Sequence, residues 1–112
     1  MLAPLDTARP VSSSVTGASP LFAHPAISVI GLGYVGAVSA ACFSELGHAV
    51  IGIDLDTHKV QCISEGRAPL VEPDLEESIA RGVTEGRLSA NSSISEAIAA
   101  TSITFVCVGT PS

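Results

Sequence analysis

Residues 26–54 read AISVIGLGYVGAVSAACFSELGHAVIGID, and few folds accommodate that order of residues. A short β-branched run (Ile27, Val29, Ile30) meets Gly31-Leu32-Gly33-Tyr34-Val35-Gly36. A helical pattern follows, with Val35, Val38, Cys42 and Leu46 spaced on one face, and Gly47-His48 stops it. A second apolar run, Ala49 to Ile53, ends in Asp54. Strand, glycine turn, helix, strand and acid, in that order, make up a dinucleotide-binding βαβ unit.

Each residue type has a physical reason. Gly31 can leave the strand sharply, with positive φ at little steric cost. Gly33 carries no side chain, so a pyrophosphate can approach the backbone. Gly36 lets the helix lie close to the strand. The helix start then offers free N–H groups and the positive end of its dipole to the phosphates. Asp54 suits a carboxylate that accepts the hydroxyls of the adenosine ribose. It would repel a 2′-phosphate, and Leu55, Asp56, Thr57 and His58 supply no arginine to receive one. The expected cofactor is therefore NAD rather than NADP. Lys59 could reach the adenosine side, although spacing alone favours a solvated surface lysine.

The 112 residues suffice for one domain or a piece of one. With 46% hydrophobic and 14% charged residues, the composition fits a parallel sheet covered on both faces. A formal charge of −6 argues against nucleic acid or an anionic membrane as the main partner. Cys42, Cys62 and Cys107 show no CxxC spacing and read as small buried apolar residues in a reducing compartment. The histidines are scattered, so no metal site is expected. No run approaches the roughly 20 apolar residues of a membrane helix. Residues 1–25 lack the basic start and apolar block of a secretory signal, and a cytoplasmic protein is expected.

Residues 1–25, rich in Ser, Thr, Pro and Ala, read as a flexible extension. Beyond Asp54, Asp56 caps a helix over 57–65 with Val60 and Ile63 inward. Arg67 to Pro73 is extended, and Asp74 opens a helix whose Leu75, Ile79 and Val83 share a face. Leu88 to Ser92 is a short strand. Ser93-Ile94-Ser95-Glu96 forms a capping box for a helix running to Ala100. Ile103 to Val108 is a buried strand. Thr110 leaves its carboxyl end, where open α/β sheets bind ligands, facing the same crevice as Gly33. Its hydroxyl can bond a cofactor or its own backbone, and the residues weigh both equally.

GLGYVG, the GID acid, APLVEPDL, GRLS and CVGTPS occur in order. With them, residues 26–112 resemble the N-terminal domain of the UDP-glucose and GDP-mannose dehydrogenase family. The resemblance implies a Rossmann-type, doubly wound parallel sheet of which only the N-terminal βαβ units are present. It implies four-electron, NAD-dependent oxidation of the C6 alcohol of a nucleotide-linked hexose to a carboxylate. It places cofactor contacts at Gly31, Gly33, Tyr34, Val35, Gly36, Asp54, Lys59 and Thr110. It also puts the catalytic cysteine, its lysine and asparagine partners, most of the sugar-nucleotide pocket and the oligomer-forming helix in later domains. No catalytic residue is assigned here, and the chain alone is expected to show no turnover. LVEP and CVGTPS lean towards GDP-mannose, ACFSELGH towards UDP-glucose. Asp74 stands where the family has glycine. A stand-alone NAD-binding module without chemistry is the rival reading.

Overall fold

The computed structural model describes residues 24–108. Its elements run β1 (Ile27–Ile30), α1 (Tyr34–Glu45), β2 (Val50–Ile53), α2 (Thr57–Ser64), α3 (Leu75–Thr84), β3 (Leu88–Asn91), α4 (Ile94–Ala100) and β4 (Ile103–Val106). The four strands form one parallel sheet in the order β3-β2-β1-β4. Parallel neighbours need crossover connections, and helices supply each of them. The expected extension over residues 1–25 falls outside the described residues up to Phe22 and Ala23, as does Thr110.

Strand alternation decides what each face of the sheet meets. Ile27 and Val29, level with Val50 and Gly52 of β2, point to the side where α1 and α3 pack. Ser28 and Ile30 point to the other side, where α4 touches β1 and β2. There the buried Ser28 hydroxyl lies 2.8 Å from Thr104 Oγ1 and accepts from Thr101 Oγ1 at 3.1 Å. Thr101 sits at the end of α4, so this hydroxyl chain ties that helix to the sheet. The chain crosses from β3 to β4 on the face opposite α1, which makes the sheet doubly wound.

Helix α1 corrects the sequence expectation about its inner face. Gly36, Ala37, Ala40, Ala41 and Ser44 are buried, whereas Val35, Cys42 and Leu46 are exposed. A helix apolar all round does not declare its inner side by apolarity. Close approach chooses instead, and the small residues turn inward. The expectation of three buried cysteines therefore holds for Cys62, while Cys42 is exposed and Cys107 half-buried. Helix α3 follows its pattern, with Leu75 and Ile79 buried. It meets α1 at another small residue: a Cβ on Gly82 would lie 2.4 Å from Ser44 Oγ and 3.1 Å from Leu88 Cβ.

The helix starts differ in how they are satisfied. Asp56 caps α2 as expected, its carboxylate accepting from the amides of His58 and Lys59. Ser93 accepts from the Glu96 amide, but Asn91 Oδ1, not Glu96, accepts the Ser93 amide at 2.8 Å, so the capping box is half of one. Asp74 precedes α3 without a side-chain cap, in the left-handed region at φ 66°. This is a backbone conformation that glycine adopts more easily than aspartate. Strand β4 also departs from expectation. It lies at the sheet edge, and all four of its residues are exposed. Phe105 of this strand stacks on Phe43 with ring centroids 4.7 Å apart.

Two consequences are open to urea unfolding. Gly82→Ala should cost about 1–2 kcal/mol, because overpacking outweighs the gain in helix propensity. Ser44→Ala, which removes a buried hydroxyl lacking a partner, should be neutral or stabilising alone and should reduce the loss in the double variant. A stabilised Gly82→Ala chain would contradict this packing. Asp74→Gly should raise stability by up to about 1 kcal/mol, since the left-handed backbone then carries no Cβ. A lower midpoint would contradict that.

Candidate cofactor site

The glycine turn is tied to the end of β2 at several points. The Gly31 amide donates to the Ile53 carbonyl at 2.7 Å. The Leu32 amide donates to Asp54 Oδ2 at 2.8 Å. The Leu32 side chain is fully buried and lies over Gly52, where an added Cβ would sit 2.9 Å from Leu32 Cδ2. Sequence reasoning passed over Leu32, yet an apolar residue between two loop glycines is the available signal. It is the plug that anchors the loop.

The glycines divide their work. Gly31 has φ 101°, and a Cβ there would meet the Cys107 backbone at 2.9 Å. A Cβ on Gly36 would lie 1.6 Å from the Gly31 carbonyl oxygen, so this position admits hydrogen only. Gly33 is different: nothing lies within 4 Å of where its Cβ would be. It caps α1 with extended backbone and no side-chain hydrogen bond, and the Ala37 amide bonds its carbonyl at 2.8 Å. The first-turn amides of Tyr34, Val35 and Gly36 precede that bond and have no intrahelical acceptor. Bare amides, open space and the positive helix end thus coincide, which fits a diphosphate.

Asp54 faces the same place. Its Oδ1 accepts the Asp56 amide at 2.8 Å while Oδ2 holds Leu32. Burial pushes its pKa up, but the amide bonds from Leu32 and Asp56, the charge of Lys59 and the Leu55 amide outweigh that and leave it lowered from 3.8. The carboxylate is ionised at neutral pH and keeps lone pairs for hydroxyl donors. Lys59, in α2, is near enough to act on it through charge.

A cleft of about 220 Å³ opens here, lined by Ile30, Gly31, Ile53, Asp54, Leu55, Ile94 and Val108. Leu55, Ile94 and Val108 were not anticipated as site residues, since large apolar side chains look like core in a sequence. A larger hollow of about 440 Å³, between residues 68–72 and Glu76, shares none of these residues and none of the helix-start amides. Gly31, Gly33, Gly36 and Asp54 are thus brought together, with Tyr34 and Val35 exposed at the first turn of α1. Among the described residues lining the cleft, Asp54 is the one with an ionisable side chain. No group of three or more His, Cys, Asp or Glu among the described residues could hold a metal ion. No helix among them is long and apolar enough to cross a membrane.

Comparison with known proteins agrees with this geometry. Residues 25–112 match the model of the UDP-glucose/GDP-mannose dehydrogenase family, NAD binding domain. GDP-mannose 6-dehydrogenase of Azotobacter vinelandii is 50% identical over 86 residues, 77% of this chain and 20% of that protein. The crystal structure of a ternary complex of GDP-mannose dehydrogenase from Pseudomonas aeruginosa superposes with TM-score 0.76 at 48% identity, over 77% of this chain and 20% of that one. A UDP-glucose dehydrogenase from Pyrobaculum islandicum gives TM-score 0.77 at 46% identity, over 85% and 22%. The chain thus spans about a fifth of the length of the curated relatives it matches.

The Asp54 bonds carry a pH signature. A carboxylate whose pKa is lowered by folding stabilises the fold above its ordinary value, and the contribution is lost as pH falls through the lowered one. The stability difference between the native chain and Asp54→Asn should therefore be full near neutral pH and shrink below about pH 3.8. Urea midpoints measured across that range check it. A difference that does not change on acidification would contradict the assignment.

Proposed function

We propose a function from one fact: this chain belongs to the UDP-glucose/GDP-mannose dehydrogenase family, as its NAD-binding domain. Residues 26–112 act as that domain in a nucleotide-sugar 6-dehydrogenase, holding NAD while the C6 alcohol of GDP-mannose is oxidised to the carboxylate of GDP-mannuronate. The observation that carries this reading is the meeting of a bare helix start at Gly33 with the Asp54 carboxylate beside one cleft.

Each residue then has a task. The amides from Gly33 to Gly36, including those of Tyr34 and Val35, hold the diphosphate. Gly31 and Gly36 allow the turn that presents them. Asp54 accepts the adenosine ribose hydroxyls, and Lys59 balances its charge from α2. Thr110 bonds the cofactor from beyond β4. NAD, when bound, supplies the hydride acceptor; this chain's residues hold it and turn away a 2′-phosphate. GDP-mannose is preferred as substrate because the similarity to GDP-mannose dehydrogenases is slightly the greater. UDP-glucose is the second reading, supported by the match to the Pyrobaculum protein. The sugar nucleotide and any oligomeric partner would be met mainly by the rest of such an enzyme.

Calorimetric titration tests the reading. NAD should bind, and NADP should bind at least tenfold more weakly. Asp54→Ala should weaken NAD by about 10- to 100-fold, the worth of charge-assisted bonds. Gly33→Ala should leave the melting temperature unchanged, because its Cβ meets nothing within 4 Å, yet lower NAD affinity. Gly36→Ala should instead destabilise the fold. Equal affinity for NADP, or full NAD affinity in Gly33→Ala, would overturn the site.

A further inference from the structure

We infer that His58 and Cys62 form a chelating pair on α2 for one divalent cation of the thiophilic class, Zn2+ or Cd2+, with water completing its coordination. The pair shares no residue with the lining of the cofactor cleft.

His58 and Cys62 are four residues apart, and α2 (Thr57–Ser64) turns that spacing into a contact on one face. Cys62 Sγ lies 3.6 Å from His58 Nε2. A tetrahedral ion bonded to sulfur at about 2.3 Å and to nitrogen at about 2.0 Å sets those two atoms about 3.5 Å apart. The donors thus already stand at the separation an ion would impose, and little ordering is left for binding to do. Cys62 is 2% exposed, whereas His58 is exposed. The imidazole therefore lies on the solvent side of the sulfur, and an ion enters past it.

The donor chemistry selects the ion. Thiolate and imidazole favour Zn2+ and Cd2+ over Mg2+ and Ca2+, which prefer oxygen. On binding, the thiol S–H bond breaks, sulfur bonds the ion, Nε2 supplies its lone pair and the proton leaves to solvent; nothing is oxidised. The neighbouring charges largely cancel. The positive start of α2 opposes a cation, and the Asp56 carboxylate that caps it offsets this. Arg67 acts on Cys62 through charge, but its guanidinium is ion-paired with Glu65 at 2.6 Å. No third His, Cys, Asp or Glu among the described residues joins the pair. Two protein ligands make an exchangeable site rather than a closed structural one.

The test titrates the reduced 112-residue chain with CdCl2 and follows the ultraviolet charge-transfer band of the cadmium–thiolate bond. One equivalent should bind, and excess Mg2+ should not displace it. His58→Ala, at an exposed position, should weaken Cd2+ by at least about tenfold, since even changes outside the coordinating atoms cost that much. Cys62→Ala, with folding checked by circular dichroism, should remove the band. Cys42→Ser, which alters an exposed thiol elsewhere, should leave it unchanged. Should Cys62→Ala fail to fold, His58→Ala and Cys42→Ser decide. Full Cd2+ affinity in His58→Ala, a band that persists in folded Cys62→Ala or vanishes in Cys42→Ser, displacement by Mg2+, or no binding at all would overturn the inference.

Discussion

The bond from the Leu32 amide to the Asp54 carboxylate joins the two halves of the βαβ unit at the point where they must agree. It fixes the glycine turn relative to the end of β2, while the buried Leu32 side chain fixes the same residue relative to the core. With that residue held by backbone and side chain, the next ones have little freedom. Gly33 must open α1, and the first amides of the helix must point outward beside the acid. The same carboxylate therefore serves folding and binding: one part of its hydrogen-bonding capacity organises the loop, and the remainder faces the cleft. A site built in this way is preorganised, and less ordering is left to be done when a ligand arrives.

Close packing below the turn depends on hydrogen and methyl groups. Gly36 against the Gly31 carbonyl and Gly82 against Ser44 leave no room for a Cβ, and the alanines of α1 are buried beside them. This explains why α1 buries its small residues and exposes Val35, Cys42 and Leu46. The gain comes from dispersion contacts made at short range, for which side-chain size is a hindrance.

Much of this was legible in the residues. Short apolar runs, one ending at Gly31 and one at Asp54, marked β1 and β2, and the spacing of Gly31, Gly33, Gly36 and Asp54 marked the candidate site. The helix ends at Asp56 and Ser93 followed from side-chain chemistry. What escaped was whatever distance decides. Apolarity could not orient α1, since nearly all its faces are apolar. The run Ile103–Val106 reads as a buried strand, and at the edge of the four described strands its residues are exposed. Leu55 and Ile94 carried no site signal in the sequence, because the cleft they line is formed by segments about 40 residues apart in the chain. Asp74 in a left-handed turn was flagged only as a departure from glycine, and that departure proved to be where the backbone needs positive φ.

The claim on which the rest stands is that the start of α1 and Asp54 together grip a dinucleotide. Backbone amide resonances followed during titration with NAD test it most directly. The account requires that the signals of Leu32 to Ala37 and of Asp54 to Asp56 move together and saturate at one dissociation constant, while those of residues 68–72 stay in place. Movement centred on residues 68–76, with the glycine turn unaffected, would contradict it.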